Sequence, residues 1–276
     1  MTGSRPGADG AGAIGVVILA AGAGRRLAAA NGGRPKWLTD VGGRSIADRQ
    51  LAALELALGA GDCVVVVSGH RHADVKGWLT ERASPLAIRV IDNDRYRERN
   101  NWYSLLLGLQ YLEGEDWAGT VVVLNSDLCA PEDWFGPFLR AVRADRPEPG
   151  LVAVDEHRPL TEEAMKVSVR ATAGGGLLCR RIGKVGVDDP AGEYVGIASL
   201  CQSTWELLAS ILEGYLHRPE LADAWYESGF QELMDRSLLA PWSVPDSGWA
   251  EIDDDVDLAS AEVLVGAPSP GPTCAR

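Results

Sequence analysis

The sequence has no C-x-x-C pair and no two neighbouring cysteines. Cys63, Cys129, Cys179, Cys201 and Cys274 are odd in number and scattered, which excludes a disulfide framework and a cysteine zinc site and fits a reducing compartment such as the cytoplasm. Positive charge is scarce as well. The 26 Lys and Arg stand against 39 Asp and Glu, a formal net charge of -13, so a general nucleic-acid surface is excluded and an anionic ligand must be held by a local basic cluster. No later run approaches the ~20 apolar residues of a membrane-spanning helix. The apolar run 14–23 behind Arg5 imitates a secretory signal, but Asp9 lies in what would be its basic region. Several catalytic signatures are missing too. G-x-G-x-x-G fails because Leu27 stands three after Gly24, the Walker G-K-[ST] and the G-x-S-x-G elbow are absent, and His70 and His72 have an i, i+2 spacing that suits neither a helical metal pair nor a triad.

What is present is the pattern of an α/β chain. With 46% hydrophobic residues, 276 residues can bury a substantial core. Short apolar runs at 14–21, 63–68, 88–92, 120–125 and 151–154 read as strands, and 45–58, 73–81, 102–112 and 133–142 as helices between them. Such alternation predicts a Rossmann-like, mostly parallel sheet sandwiched by helices. After Met165 the pattern changes to strands at 166–170, 177–180 and 194–200, helices at 204–215 and 221–236, and a 249–253 segment running into a short helix. The second half therefore reads as an insertion or cap on the first. Residues 1–13 are Gly-rich and expected to be flexible, 14–265 form the domain, and the Pro- and Gly-rich 266–276 tail is expected to be disordered.

Three stretches can carry chemistry. In V-V-I-L-A-A-G-A-G-R-R-L, a buried strand runs into Ala21-Gly22-Ala23-Gly24, where bare backbone can approach a ligand and N–H groups can cradle phosphates. Arg25, Arg26, Arg34 and Lys36 follow with no acidic residue among them; without a ligand this would be a tight turn with solvated arginines. In V-V-V-L-N-S-D-L, Asp127 stands just past a buried strand, where open α/β sheets bind ligands, as a hard oxygen ligand for Mg2+ or as a turn or cap aspartate. In W-A-E-I-D-D-D-V-D-L, five acids fall within seven residues, so a cation or a helix N-terminus must offset their repulsion. Alternation along an extended segment places Glu251 and Asp253 on one face.

Together, L-A-A-G-A-G-R-R-L followed by P-K-W-L resembles the signature of the nucleotidyltransferase superfamily with a GT-A-like fold. N-N-W-Y-S-L (100–105), M-K-V (165–167) and E-I-D-x-x-x-D-L resemble its CTP:phosphocholine and phosphonate cytidylyltransferase branch. The resemblance implies a GT-A-like nucleotidyltransferase core at 14–160, a C-terminal acceptor-binding cap at 161–248, and a metal-binding strand and helix at 249–265. It implies that Leu19, Ala20, Ala21, Gly22, Ala23, Gly24 and Arg25 bind the nucleotide, with Asn100, Asn101 and Ser104 at its base. Lys36, Arg26 and Lys166 would be catalytic, while Asp127, Glu251 and Asp253 would bind Mg2+. Y-V-G-I and A-W-Y-E would place Tyr194, Trp225, Tyr226 and Glu227 around the acceptor, with Arg158 and Lys184 as loose candidates for an anionic head group. The partners implied are CTP and a small phosphorylated or phosphonate acceptor, with neither nucleic acid nor membrane. The alternatives are a sugar-1-phosphate or molybdopterin nucleotidyltransferase, or a non-catalytic nucleotide-sensing protein.

Overall fold

A computed structural model describes residues 12–27, 31–145, 149–245 and 248–266. The N-terminal segment expected to be flexible lies outside these as far as residue 11, and the expected disordered tail lies outside them from residue 267. β1 (Ile14–Ala20) is buried along its whole length, as befits a strand apolar on both faces. It is followed by the short pair β2 (Asp40–Val41) and β3 (Arg44–Ser45), then α1 (Ile46–Ala57), β4 (Cys63–Ser68), α2 (His72–Arg82), β5 (Ile88–Asp92), α3 (Asn101–Gly114) and β6 (Thr120–Asn125). β1 pairs in parallel with β4 and β6, and β4 pairs in parallel with β5. Helix starts are set locally: Ser45 Oγ accepts from Asp48 N at 3.1 Å, and Asn100 Oδ1 accepts from Asn101 N at 2.8 Å.

Next come β7 (Leu128–Cys129), α4 (Phe135–Asp145), β8 (Gly150–Asp155), β9 (Lys166–Ala171), β10 (Leu177–Gly183), β11 (Gly192–Leu200), α5 (Gln202–Tyr215), α6 (Tyr226–Asp235), β12 (Leu239–Ser243), β13 (Ala250–Glu251) and α7 (Asp255–Gly266). β11 lies antiparallel to β6, β8 and β9. It bends at Gly196, whose φ of 87° disfavours a side chain and whose Cβ would lie 3.0 Å from Asn125 Cβ. The second half thus extends the first half's sheet to nine strands, and the expected C-terminal cap is built on that extension. α3, α5 and α6 cover one face, packing Trp102, Trp205 and Phe230 with Val17 and Val123 of the sheet. α1, α4 and α7 cover the other with Leu51, Phe138 and Ala261.

Besides the two-residue strands β2, β3 and β7, which the sequence reading did not include, two longer elements differ from it. The single helix expected over 221–236 is broken. A short turn (Pro219–Leu221) precedes an interval at 222–225, where Ala222 O accepts from Asn100 N and Trp102 Nε1 and Asp223 O accepts from Asn100 Nδ2, each at 3.0 Å. Those carbonyls serve α3 instead of a helical ladder, and Trp225 becomes the residue that opens α6. β12 was not foreshadowed at all. It contains Pro241, which suits only an edge strand, and it pairs with β8 alone, Pro241 lying opposite Val152.

Candidate active site

A cleft of about 330 Å³ opens at the carboxyl ends of β1, β5 and β6. Its floor is the turn after β1. Gly24 there has φ 55°, and a Cβ on it would lie 3.0 Å from Lys36 Cβ, so only glycine lets the lysine approach so closely. The N–H groups of Gly22, Ala23 and Gly24 have no hydrogen-bond partner among the described residues, which leaves them available to an anion. Lys36 is held by its neighbours. Trp37 is buried and its Nε1 donates to Gln50 Oε1 at 2.9 Å; Gln50 Nε2 donates to Asn125 O at 2.9 Å and Leu128 O at 2.8 Å. One buried amide from α1 therefore fixes the lysine segment and the β6–β7 turn that carries Asp127.

The acidic residues arrive from the far end of the chain. β13 pairs antiparallel with β7, Glu251 opposite Leu128, and Ile252 N donates to Asp127 O at 3.1 Å. Asp254 Oδ1 caps α7, accepting from Val256 N at 2.9 Å and Asp257 N at 3.0 Å, and Asp257 Oδ2 fixes the preceding turn, accepting from Asp253 N at 2.9 Å and Asp254 N at 3.2 Å. Ligand oxygens of Asp127, Glu251 and Asp253 lie within 4.8 Å of one another. Lys36 Nζ bridges Asp127 Oδ2 at 2.7 Å and Asp253 Oδ1 at 2.5 Å, and Arg26 Nη2 contacts Asp253 Oδ2 at 2.7 Å.

Burial alone would lower the pKa of Lys36, but the charges of Asp127 and Asp253 and the hydrogen bonds to them hold it above its ordinary value. Burial would raise Asp253; the Lys36 and Arg26 charges outweigh it and hold Asp253 low. Glu251 is pushed up to about 8, by withdrawal of its carboxyl into the cleft and then by the Asp127 and Asp253 charges. Asp127 Oδ1 is buried with no hydrogen-bond partner among the described residues. Three convergent hard oxygens, one of them orphaned, fit Mg2+.

Comparison with known proteins fits this arrangement. A family model for the MobA-like NTP transferase domain matches residues 16–237. The chain belongs to that family. It is 29% identical over 255 residues to a bifunctional IPC transferase and DIPP synthase of Rubrobacter xylanophilus, covering 91% of this chain and 52% of that protein. It is 30% identical over 264 residues to a CMP-5'-(3-aminopropyl)phosphonate synthase of Streptomyces rubellomurinus, covering 91% of this chain and 39% of that protein. The chain thus spans about half the length of the first relative and less of the second. In fold it is similar to the inositol-1-phosphate CTP transferase of T. maritima, with a TM-score of 0.73 at 20% identity, covering 93% of this chain and 96% of that one.

In this NTP transferase domain the sequence-derived residues fall into two groups. Leu19, Ala21, Gly22, Gly24, Arg25, Arg26, Lys36, Asn100, Asn101, Ser104, Asp127, Trp225, Glu251 and Asp253 all line the cleft. Ala20 is buried behind it, and Ala23 is not in its wall. Lys166 is turned elsewhere: its Nζ donates to Glu162 O and Ala164 O at 3.3 Å and to Lys184 O at 2.9 Å, which staples a loop to the end of β10. Tyr194 and Tyr226 are core residues with Phe230, their hydroxyls 3.0 Å apart, and Tyr226 OH donates to Asn125 Oδ1 at 2.9 Å. Glu227 is buried beside them with Oε2 unpartnered among the described residues; burial pushes its pKa up to about 7.

Trp225, at 42% exposure, is the acceptor candidate that reaches the cleft, and Lys184 Nζ lies 4.8 Å from its ring centroid while pairing with Glu163 at 2.8 Å. Arg158 buttresses β13 from behind, stacked 4.5 Å over Trp249 and donating to Trp249 O. Sequence reasoning missed Gln50, Asn93, Tyr96, Arg99 and Asn125. Asn93 is wholly buried and donates to Ser104 Oγ at 2.9 Å. Its only sequence signal is its place immediately past β5, at the ligand-binding edge of an open sheet.

Proposed function

We infer that the chain is a cytidylyltransferase that transfers CMP from CTP to a small phosphonate or phosphocholine-like monoester, with Mg2+, releasing pyrophosphate. The observation that carries this reading is the meeting of Lys36 and Arg26 with Asp127, Glu251 and Asp253 beside the glycine turn. Relatives named for CMP-phosphonate synthesis and for CTP-dependent transfer to inositol 1-phosphate support the donor and a phosphorus-bearing acceptor. On this reading 14–160 hold the nucleotide, 161–248 the acceptor, and 249–265 the metal.

An acceptor phosphate or phosphonate oxygen attacks the α-phosphorus of CTP in line; the new P–O bond forms as the bond to the β-phosphate oxygen breaks, and its electron pair leaves with pyrophosphate. A phosphate-type oxygen is already largely ionised at neutral pH, its second pKa being about 6, so no strong general base is required. The N–H groups of Gly22 and Gly24 orient the triphosphate, and Lys36 and Arg26 stabilise the charge that develops on its oxygens. Asp127, Glu251 and Asp253 would hold Mg2+, which would supply Lewis-acid neutralisation of charge on the phosphates.

A second reading of the acceptor has its own support. Tyr194 and Tyr226 form no aromatic wall in the cleft, and Lys184 already lies over Trp225, an arrangement that favours a hydroxylated phosphate such as an inositol phosphate over a cationic head group. Pyrophosphate release from CTP, UTP and GTP with phosphocholine, 2-aminoethylphosphonate, inositol 1-phosphate and glucose 1-phosphate tests both. CTP with one of the first three is expected to be the best pair; glucose 1-phosphate with another triphosphate would install the sugar nucleotidyltransferase alternative.

A further inference from the structure

Arg99 is a cation in the cleft wall that no carboxylate holds. Its guanidinium carbon lies 5.2 Å from the Trp102 ring centroid and 5.5 Å from that of Tyr103. Its Nε is buried without a partner, and the Arg99 side chain makes no hydrogen bond or ion pair with any described residue, in a chain with 39 acidic residues. Arg95, four residues earlier, pairs with Glu98 at 3.0 Å. Cation-π contact with two rings holds the Arg99 guanidinium in place while leaving its donors unsatisfied.

The place of Arg99 narrows what those donors meet. In the sheet β1 lies between β6 and the β4–β5 pair. The carboxylates stand beyond β6, the phosphate turn beyond β1, and the wall from Asn93 to Ser104 beyond β5. With the triphosphate over the turn, the nucleoside of a bound NTP extends toward that wall. Each side-chain acceptor of Asn93, Asn100, Asn101 and Ser104 already takes one hydrogen bond. Asn93 Oδ1 takes Arg95 N at 3.0 Å, Asn100 Oδ1 takes Asn101 N at 2.8 Å, Asn101 Oδ1 takes Tyr226 N at 2.9 Å, and Ser104 Oγ takes Asn93 Nδ2 at 2.9 Å. Against these, the Arg99 fork, Asn101 Nδ2 and the Ser104 hydroxyl hydrogen are donors with no partner among the described residues, so the free side-chain groups of this stretch are weighted toward donors.

We propose that Arg99 reads the O2/N3 edge of cytosine and thereby sets the preference for CTP over UTP; this rests on the nucleotidyl-transfer reading above. Cytosine presents two adjacent acceptors at O2 and N3. Uracil carries N3–H there, which would point a donor at donors. An amide can turn over to suit either base, whereas arginine only donates. A mismatch in a site built to hydrogen-bond leaves polar groups unpaired, which is where large selectivity arises.

The test compares wild type, Arg99→Gln and Arg99→Lys. It uses kcat/KM for CTP and UTP with one acceptor, equilibrium binding of CMP and UMP, and thermal melting. Arg99→Gln is expected to lower the CTP:UTP ratio about 10- to 100-fold, chiefly through CTP, with Arg99→Lys intermediate. The CMP:UMP binding ratio should fall in parallel. An equal loss with both nucleotides, or an unchanged ratio, overturns the proposal and makes Arg99 a phosphate contact or a packing residue. If Arg99→Gln melts early, the ratio in Arg99→Lys decides. Should wild type transfer no cytidylyl group, the functional reading fails, while loss of CMP-over-UMP binding selectivity in the variants would still support Arg99 as the base reader.

Discussion

Glu227 shows at the scale of one residue how a side chain legible in the sequence can take a different place in the fold. The A-W-Y-E segment marks it as an acceptor contact; the structure buries it behind the cleft wall with an unpartnered oxygen. Its folded pKa of about 7 lies above the ordinary 4.5, so the folded state binds the proton more tightly than the unfolded one. Stability therefore falls as pH rises from about 4.5 to about 7, and the full penalty stands above that. Glu227→Gln should raise the melting temperature at pH 8, by the equivalent of about 1–3 kcal/mol, and have little effect at pH 5. Equal shifts at both pH values would contradict the assignment. Lys36, Asp127 and Asp253 were legible because each stands in a local motif, at the end of a strand or beside a glycine turn. Lys166 was legible as a position but not as a direction, because the pattern says nothing about which carbonyls a lysine finds. Gln50 and Asn93 carried no local signal, since their partners lie elsewhere in the chain.

At the scale of elements, alternation and caps located β1, β4, β5 and β6 almost to the residue, because buried parallel strands are continuous apolar runs. The same rule fails where tertiary bonds override propensity, as at 222–225 and in β12. Gln50 makes this coupling measurable. Its amide joins the Lys36–Leu38 turn, α1 and the β6–β7 turn. Gln50→Leu leaves Trp37 Nε1 and two carbonyls without their partner, and should cost about 2–4 kcal/mol in urea denaturation. It should also lower kcat more than it raises the KM for CTP, because Lys36 and Asp127 lose their common support. A variant with unchanged stability and kcat would remove Gln50 from both roles.

Across the whole molecule, the switch in pattern after Met165 signalled a second portion but not where it attaches, since alternation does not say which strand edge a segment pairs with. β11 pairs with β6, so the two halves share one sheet. Residues 12–266 should therefore unfold in a single cooperative transition, and a fragment ending at residue 160 should fail to fold because it exposes the edge of β6. Two separated transitions would show independent halves. The separate β7–β13 pair brings acids from the far end of the chain to the bases from its beginning, so that Lys36 lies between Asp127 and Asp253; on the proposed reading this local cluster is how a chain of net charge -13 would hold a triphosphate. Single-turnover pyrophosphate release from CTP by Lys36→Ala, beside wild type and with melting and CTP binding recorded for both, tests that arrangement most directly. The expected result is a folded protein that still binds CTP and is slower by about 10²- to 10³-fold; turnover near that of wild type would contradict the placement of the reaction at Lys36.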